Sequence, residues 1–136
     1  MTAKEYLSQV KKLDVQIDLD LRELSRWRDL SKRISAGNTE PNYNSNRNID
    51  APFVKCIDNI IELENKINSE VDTLAVLKSR ITDIFHSIDN SDYQAVLELR
   101  YLDYLKWNEI ASKMEYSRRW VYKIHAQALS VFEKFI

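Results

Sequence analysis

The chain has 136 residues, 20 basic and 21 acidic side chains, and a formal net charge of −1, which fits one ordinary domain or a small domain with a helical extension. One cysteine, Cys56, excludes an internal disulfide, and the two histidines, His86 and His125, do not make up a clustered set for structural zinc. A single Gly and two Pro leave little turn chemistry for a sheet, no apolar run reaches the ~18 residues of a membrane span, and MTAKEYLSQVKK has no apolar signal stretch, so the expectation is an all-α, soluble, cytoplasmic protein.

From about residue 3 to 35, apolar residues recur in steps of three or four: Leu7, Val10, Leu13, Ile17, Leu21, Leu24, Trp27, Leu30 and Ile34. That spacing marks one face of a long helix. Asp18 and Arg22 lie four apart, as do Glu62 and Lys66 further on, each with the acid first, the arrangement of solvated helix-face pairs. Ser35-Ala36-Gly37-Asn38 suits a helix C-terminus, and a polar stretch follows, giving a loop over about 36–50.

Asp50 before Ala51-Pro52 has the chemistry of a helix start, with a second helix expected over about 52–88. Its register is a heptad: Ile60, Ile67, Leu74, Ile81 and Ile88, with Phe53, Ile57, Val71 and Phe85 in a second seam that Glu64 and Lys78 interrupt. A helix of that length needs a partner. The first helix supplies one in an antiparallel, coiled-coil-like hairpin, and the same stripes also suit an oligomeric bundle, so a homo-oligomer is expected.

Ser91-Asp92-Tyr93-Gln94 has the spacing of a capping box, which starts a third helix and places a boundary near Asp89-Asn90. The expected organisation is therefore a hairpin over 1–89 for oligomerisation or partner binding, and a small C-terminal domain over 90–136. Charge differs by segment: residues 1–34 carry eight basic and six acidic side chains, 35–90 five and nine, and 91–136 seven and six. Overall charge gives no argument for nucleic acid, so any such argument must rest on a local patch.

Residues 107–126, WNEIASKMEYSRRWVYKIHA, fit a helix-turn-helix. Ile110, Ala111 and Met114 form an inner face, Tyr116 an apolar plug in the turn, and Ser117 the N-cap of a second helix over about 118–134. Val121, Ile124, Ala128, Phe132 and Phe135 point inward; Arg118, Arg119, Tyr122, Lys123 and Ala126 share the outer side. With Ser117, these outer residues are the candidate DNA-binding set. An Arg reaches two guanine acceptors in the major groove, Lys123 and Ser117 reach phosphate, and Tyr122 donates to phosphate or packs on a thymine methyl. Glu115 occupies a turn position where Gly is common, so the turn either avoids a positive φ or accepts strain, with Arg119 four residues on as a pairing partner. Trp107 and Trp120 read as core or rim packing, and His125 as structural or phosphate-facing. No nucleophile motif, phosphate-binding Gly loop or metal set is present, so neither an enzyme nor a cofactor is expected.

LELRYLDYLKWNEIASKMEYSRRWVYKIHAQAL, residues 97–129, resembles region 4 of sigma-70-type factors. More closely, Tyr116-Ser117-Arg118 and Ile124-His125 with Ala128-Leu129 resemble phage-encoded regulators of the ArpU/RinA-like group. The resemblance implies regulation of phage or prophage genes inside a bacterial host, at the nucleoid, with double-stranded DNA as partner and contact with host RNA polymerase. Two other readings stay open: a sigma-like adaptor that binds polymerase without reading DNA, and a DNA-packaging recognition subunit.

Overall fold

The computed structural model describes residues 1–37 and 50–136, and every element among them is a helix. They are α1 (Ala3–Gly37), α2 (Asp50–Ser87), α3 (Ser91–Tyr101), α4 (Trp107–Met114) and α5 (Arg118–Glu133). The all-α class and the long N-terminal helix are as the periodicity requires. The expected loop falls on residues 38–49 and the Asp50 cap on its side chain, both outside what is described, while α1 itself continues to Gly37. No described helix is long and apolar enough to cross a membrane.

The chain divides into two compact units. One is Val15–Asp72. The other joins Met1–Asp14 to Thr73–Ile136, so the first turns of α1 and the last turns of α2 belong with the C-terminal helices rather than with the remainder of the hairpin. This division differs from the boundary near residue 89 that the capping pattern suggested.

In the Val15–Asp72 unit, Leu24 packs against Ile60, Leu63 and Ile67, with Trp27 and Ile57 at the edge. The hairpin therefore closes within one chain here, in antiparallel sense: Arg28 pairs with Glu64 at 2.9 Å, and Asp20 with Lys66. Each of these apolar side chains contributes about 1.5–3 kcal/mol by leaving water.

Three expectations for the stripes are corrected. Leu21 and Leu30 are exposed, and Val71 in the second seam is exposed as well. Asp20 is buried where Leu21 was expected to be. Steps of 17, 20, 24 and 27 trace a helical face as well as 17, 21, 24 and 27 do, and in the first choice Asp20 meets polar partners from both α1 and α2. Gln16 Nε2 donates to its Oδ1 at 3.1 Å, and Lys66 approaches at 3.4 Å, so Lys66 faces Asp20 across the hairpin instead of pairing with Glu62 as expected. Asp18 and Arg22 do pair, at 3.0 Å. The seam interruption at Glu64 has its cause in Arg28 opposite.

In the other unit the core is Leu7 and Val10 of α1, Ile81, Phe85 and Ile88 at the end of α2, and Val96, Leu97, Ile110, Val121, Ile124, Ala128 and Phe132. Phe132 is its centre, with the Tyr6 and Phe85 rings each 5.9 Å away. The second seam interruption is also explained: Lys78 lies 3.8 Å from Asp14. Two further expectations change. Asn90, not Ser91, caps α3, its side chain accepting from the Asp92 and Tyr93 amides, while the Gln94 side chain donates back to the Ile88 carbonyl. Phe135 is exposed, because α5 ends at Glu133 and the chain leaves the helical register that pointed it inward.

Candidate nucleic-acid interface

The candidate interface comprises α4, a three-residue turn and α5. Ile110 and Ala111 are the buried face of α4, and Ala111 leaves room for α5 to cross closely. After Met114, Glu115 adopts φ 58° and ψ 38°, a left-handed conformation, and the Tyr116 amide donates to the Ala111 carbonyl at 3.1 Å. That closing bond is the usual C-terminal device of a helix, normally built on Gly. The turn thus keeps the geometry and accepts a Cβ at a strained position, a cost of about 1 kcal/mol.

Tyr116 plugs the turn less completely than its position suggested. It is 38% exposed, and its hydroxyl donates to Asp92 at 3.0 Å, which ties the turn to the start of α3 and raises the phenol above its ordinary value. Ser117 then caps α5 as its type and position indicated, accepting from the Trp120 amide at 3.2 Å.

α5 divides by face. Val121, Ile124, Ala128 and Phe132 are buried, and so is His125. Arg118, Arg119, Tyr122, Lys123 and Ala126 are all exposed, as is Ser117, so the structure brings the whole candidate set onto one accessible surface. From Arg118 to Phe132 the helix has no acidic side chain. Its N-terminus adds the positive end of the helix dipole to two guanidinium groups.

Within that surface the cations differ. Arg118 Nη2 donates to the Tyr122 hydroxyl at 3.0 Å, with the guanidinium 5.9 Å from the ring centre. Tyr122 is in turn braced by Trp107, edge to face at 5.2 Å. Trp107 also carries the Arg100 guanidinium at 4.4 Å, which donates to the Leu105 carbonyl. One edge of α5 is therefore a set of rings and guanidinium groups running back to α3 and α4. Arg119 stands in the middle of the face and forms no pair with Glu115 or any other described side chain. On the other edge Lys123 sits 5.3 Å over the Trp120 ring.

His125 is structural. Its Nε2 lies 2.7 Å from the Tyr101 hydroxyl in the interior, and Trp107 packs edge-on at 4.7 Å. Burial first, then the charges of Lys4 and Arg100, depress it to about 4, so it is neutral near pH 7 and offers phosphate no charge. Burial pushes its partner Tyr101 up to about 12. Among the described residues no group of three His, Cys, Asp or Glu side chains is placed to hold a metal ion.

Trp120, expected in the core or at its rim, is 46% exposed and so lies outside the core. Trp120 borders the buried face beside Ile124, one heptad before the exposed Gln127, so spacing alone does not separate a packed ring from an exposed one there. No curated protein and no solved structure matches the chain. Residues 44–133, about two thirds of the chain and including α2 through α5, match the family described as Protein of unknown function (DUF1492), and the chain belongs to that family.

Proposed function

We propose that this protein is a sequence-specific DNA-binding transcription regulator that reads the major groove with α5, acting on phage or prophage genes in a bacterial cell. The observation that carries the reading is the exposed α5 face with Arg118, Arg119 and Lys123 and no acid before Glu133, opposite a buried face that fixes its direction. A helix whose N-terminal turns project cations and whose cap leaves the first amides accessible suits entry into a groove lined by phosphates. Resemblance to sigma region 4 and to ArpU/RinA-like regulators supports the same role.

Arg119 is the side chain for direct base contact, because its guanidinium is free to meet the two acceptors of a guanine. Arg118 is held on Tyr122 and suits a phosphate. Selection from a randomised duplex pool tests the reading. The parent should enrich a defined sequence, and Arg119→Ala should lose about 1–3 kcal/mol on it with relaxed preference at one position. A parent protein that enriches nothing refutes it.

The adaptor reading draws on one observation, the near balance of seven basic and six acidic residues over 91–136. It requires that host RNA polymerase be recovered with the Arg118/Arg119/Lys123→Ala protein as well as with the parent. Exposed Val15, Leu19 and Ile61 on the hairpin support a homo-oligomer, which sedimentation at micromolar concentration checks.

A further inference from the structure

Trp120 is a large apolar side chain on the outside of α5, between Arg119 and Lys123 on a helix whose one acid is Glu133. Its exposure is 46%, its indole N–H has no partner among the described residues, and Lys123 lies 5.3 Å over its ring. A tryptophan placed only for packing buries its ring and finds an acceptor for its N–H, and this one does neither. On α5 it occupies the edge opposite Arg118 and Tyr122, with Arg119 between them. At about 100° per residue the order around the outer surface is Tyr122, Arg119, Lys123, Trp120. The reading face is thus bracketed by two exposed cation-on-ring pairs, Arg118 with Tyr122 and Lys123 with Trp120.

Resting on the DNA-reading role proposed above, we infer that Trp120 is a backbone-docking residue, its indole N–H donating to a phosphate of one strand and its ring packing on the adjoining deoxyribose, with Lys123 placed on the same phosphate run. Two features favour DNA over a protein at this edge. The ring is flanked along α5 by Arg119 and Lys123 and by no acid. Its polar atom is donor-only, which suits a surface of acceptors such as a phosphodiester chain. The edge is also fixed: Gln127, one heptad on, accepts from the Tyr93 hydroxyl at 3.0 Å, which anchors this side of α5 to α3. A contact of this kind positions the helix without selecting a base, so its loss weakens every sequence alike.

The test uses the full chain and duplexes enriched by the parent from a randomised pool, alongside a scrambled duplex. Trp120→Ala is expected to weaken both by about tenfold, the scale of a charge-assisted hydrogen bond, and to enrich the same sequence as the parent. Trp120→Phe, which keeps a ring and removes the N–H, is expected to fall between them. Trp120→Ala binding both duplexes like the parent, while Arg119→Ala loses sequence preference, overturns the role of Trp120 and leaves the DNA-reading role standing. A change of enriched sequence in Trp120→Ala also overturns it, because the residue then reads a base. A parent that binds neither duplex fails the DNA-reading role itself and the Trp120 inference with it, and recovery of a protein partner lost in Trp120→Ala then assigns the ring to that partner.

Discussion

The Tyr101 hydroxyl and His125 Nε2 meet at 2.7 Å in the interior, joining the end of α3 to the middle of α5. The bond couples the orientation of α5 to α3, the helix that precedes the motif. It lies beneath Trp107, which in turn braces Tyr122 on the outer face. Exposed candidate residues are therefore supported from below by a buried polar pair and a ring.

That pair makes stability depend on acid. His125 is depressed in the folded state to about 4 from an ordinary 6.5, so between those values the unfolded chain takes up a proton that the folded chain does not. Its contribution is fully present above pH 6.5 and is lost as pH falls towards 4, on the order of 2–3 kcal/mol. Urea unfolding at a series of pH values should show the decline, and His125→Gln, which cannot take up a proton, should flatten it. Parallel curves for the two proteins would remove His125 as the cause.

Glu115 is the strained residue of the turn, at φ 58°. Replacement by Gly removes the Cβ clash at some cost in unfolded-chain entropy, for a net gain of up to about 1 kcal/mol. The Tm of Glu115→Gly should rise by a few degrees, and Glu115→Val should fall. A lower Tm for the glycine variant would mean that the Glu115 side chain stabilises the turn by more than its strain costs.

The helices were legible in the sequence because their apolar spacing is regular and Gly and Pro are nearly absent. The face of α5 was legible for the same reason, and Ser117 by its residue type at a helix start. What was not legible depended on partners distant in sequence. Asp20 displaces Leu21 from the core where Lys66 of α2 meets it, with Gln16, one turn back on α1, donating to the same carboxylate. Asn90 takes the cap from the adjacent Ser91, a choice between two good capping residues that local pattern does not decide. The joining of residues 1–14 to the C-terminal helices rests on contacts such as Tyr6 with Phe132 and Tyr104 with Asp14, which no local periodicity encodes.

Asp20 and Glu70 face each other inside the Val15–Asp72 unit, and both Glu70 oxygens are buried without a donor. Burial and then the neighbouring Asp20 raise Glu70 above its ordinary value, while the Glu70 carboxyl beside it, against the cost of burial, holds Asp20 below its own. The stability from the Glu70 proton is present below its ordinary 4.5 and is lost as pH rises through its raised value. The Asp20 contribution is present above its ordinary 3.8 and is lost as pH falls through its lowered value. The two together favour mildly acid conditions for this pair. Glu70→Gln supplies a permanent donor and should stabilise the protein near pH 7 by about 1 kcal/mol. Equal Tm values for parent and variant at pH 7 would show that Glu70 is solvated there.

Lys123 gives the most direct measure of how much of the interface is electrostatic. If it lies on a phosphate, each such contact releases counterions, and log K falls with log salt by roughly 0.9 per phosphate neutralised. Lys123→Ala should therefore bind more weakly and reduce the salt slope by about 1, while leaving the enriched sequence unchanged. Arg119→Ala should lower affinity for the enriched duplex more than for a scrambled one, the mark of a base contact. A salt slope unchanged in Lys123→Ala would take Lys123 off the phosphate chain and leave its ammonium, 5.3 Å over the Trp120 ring, with the role of holding that ring in place.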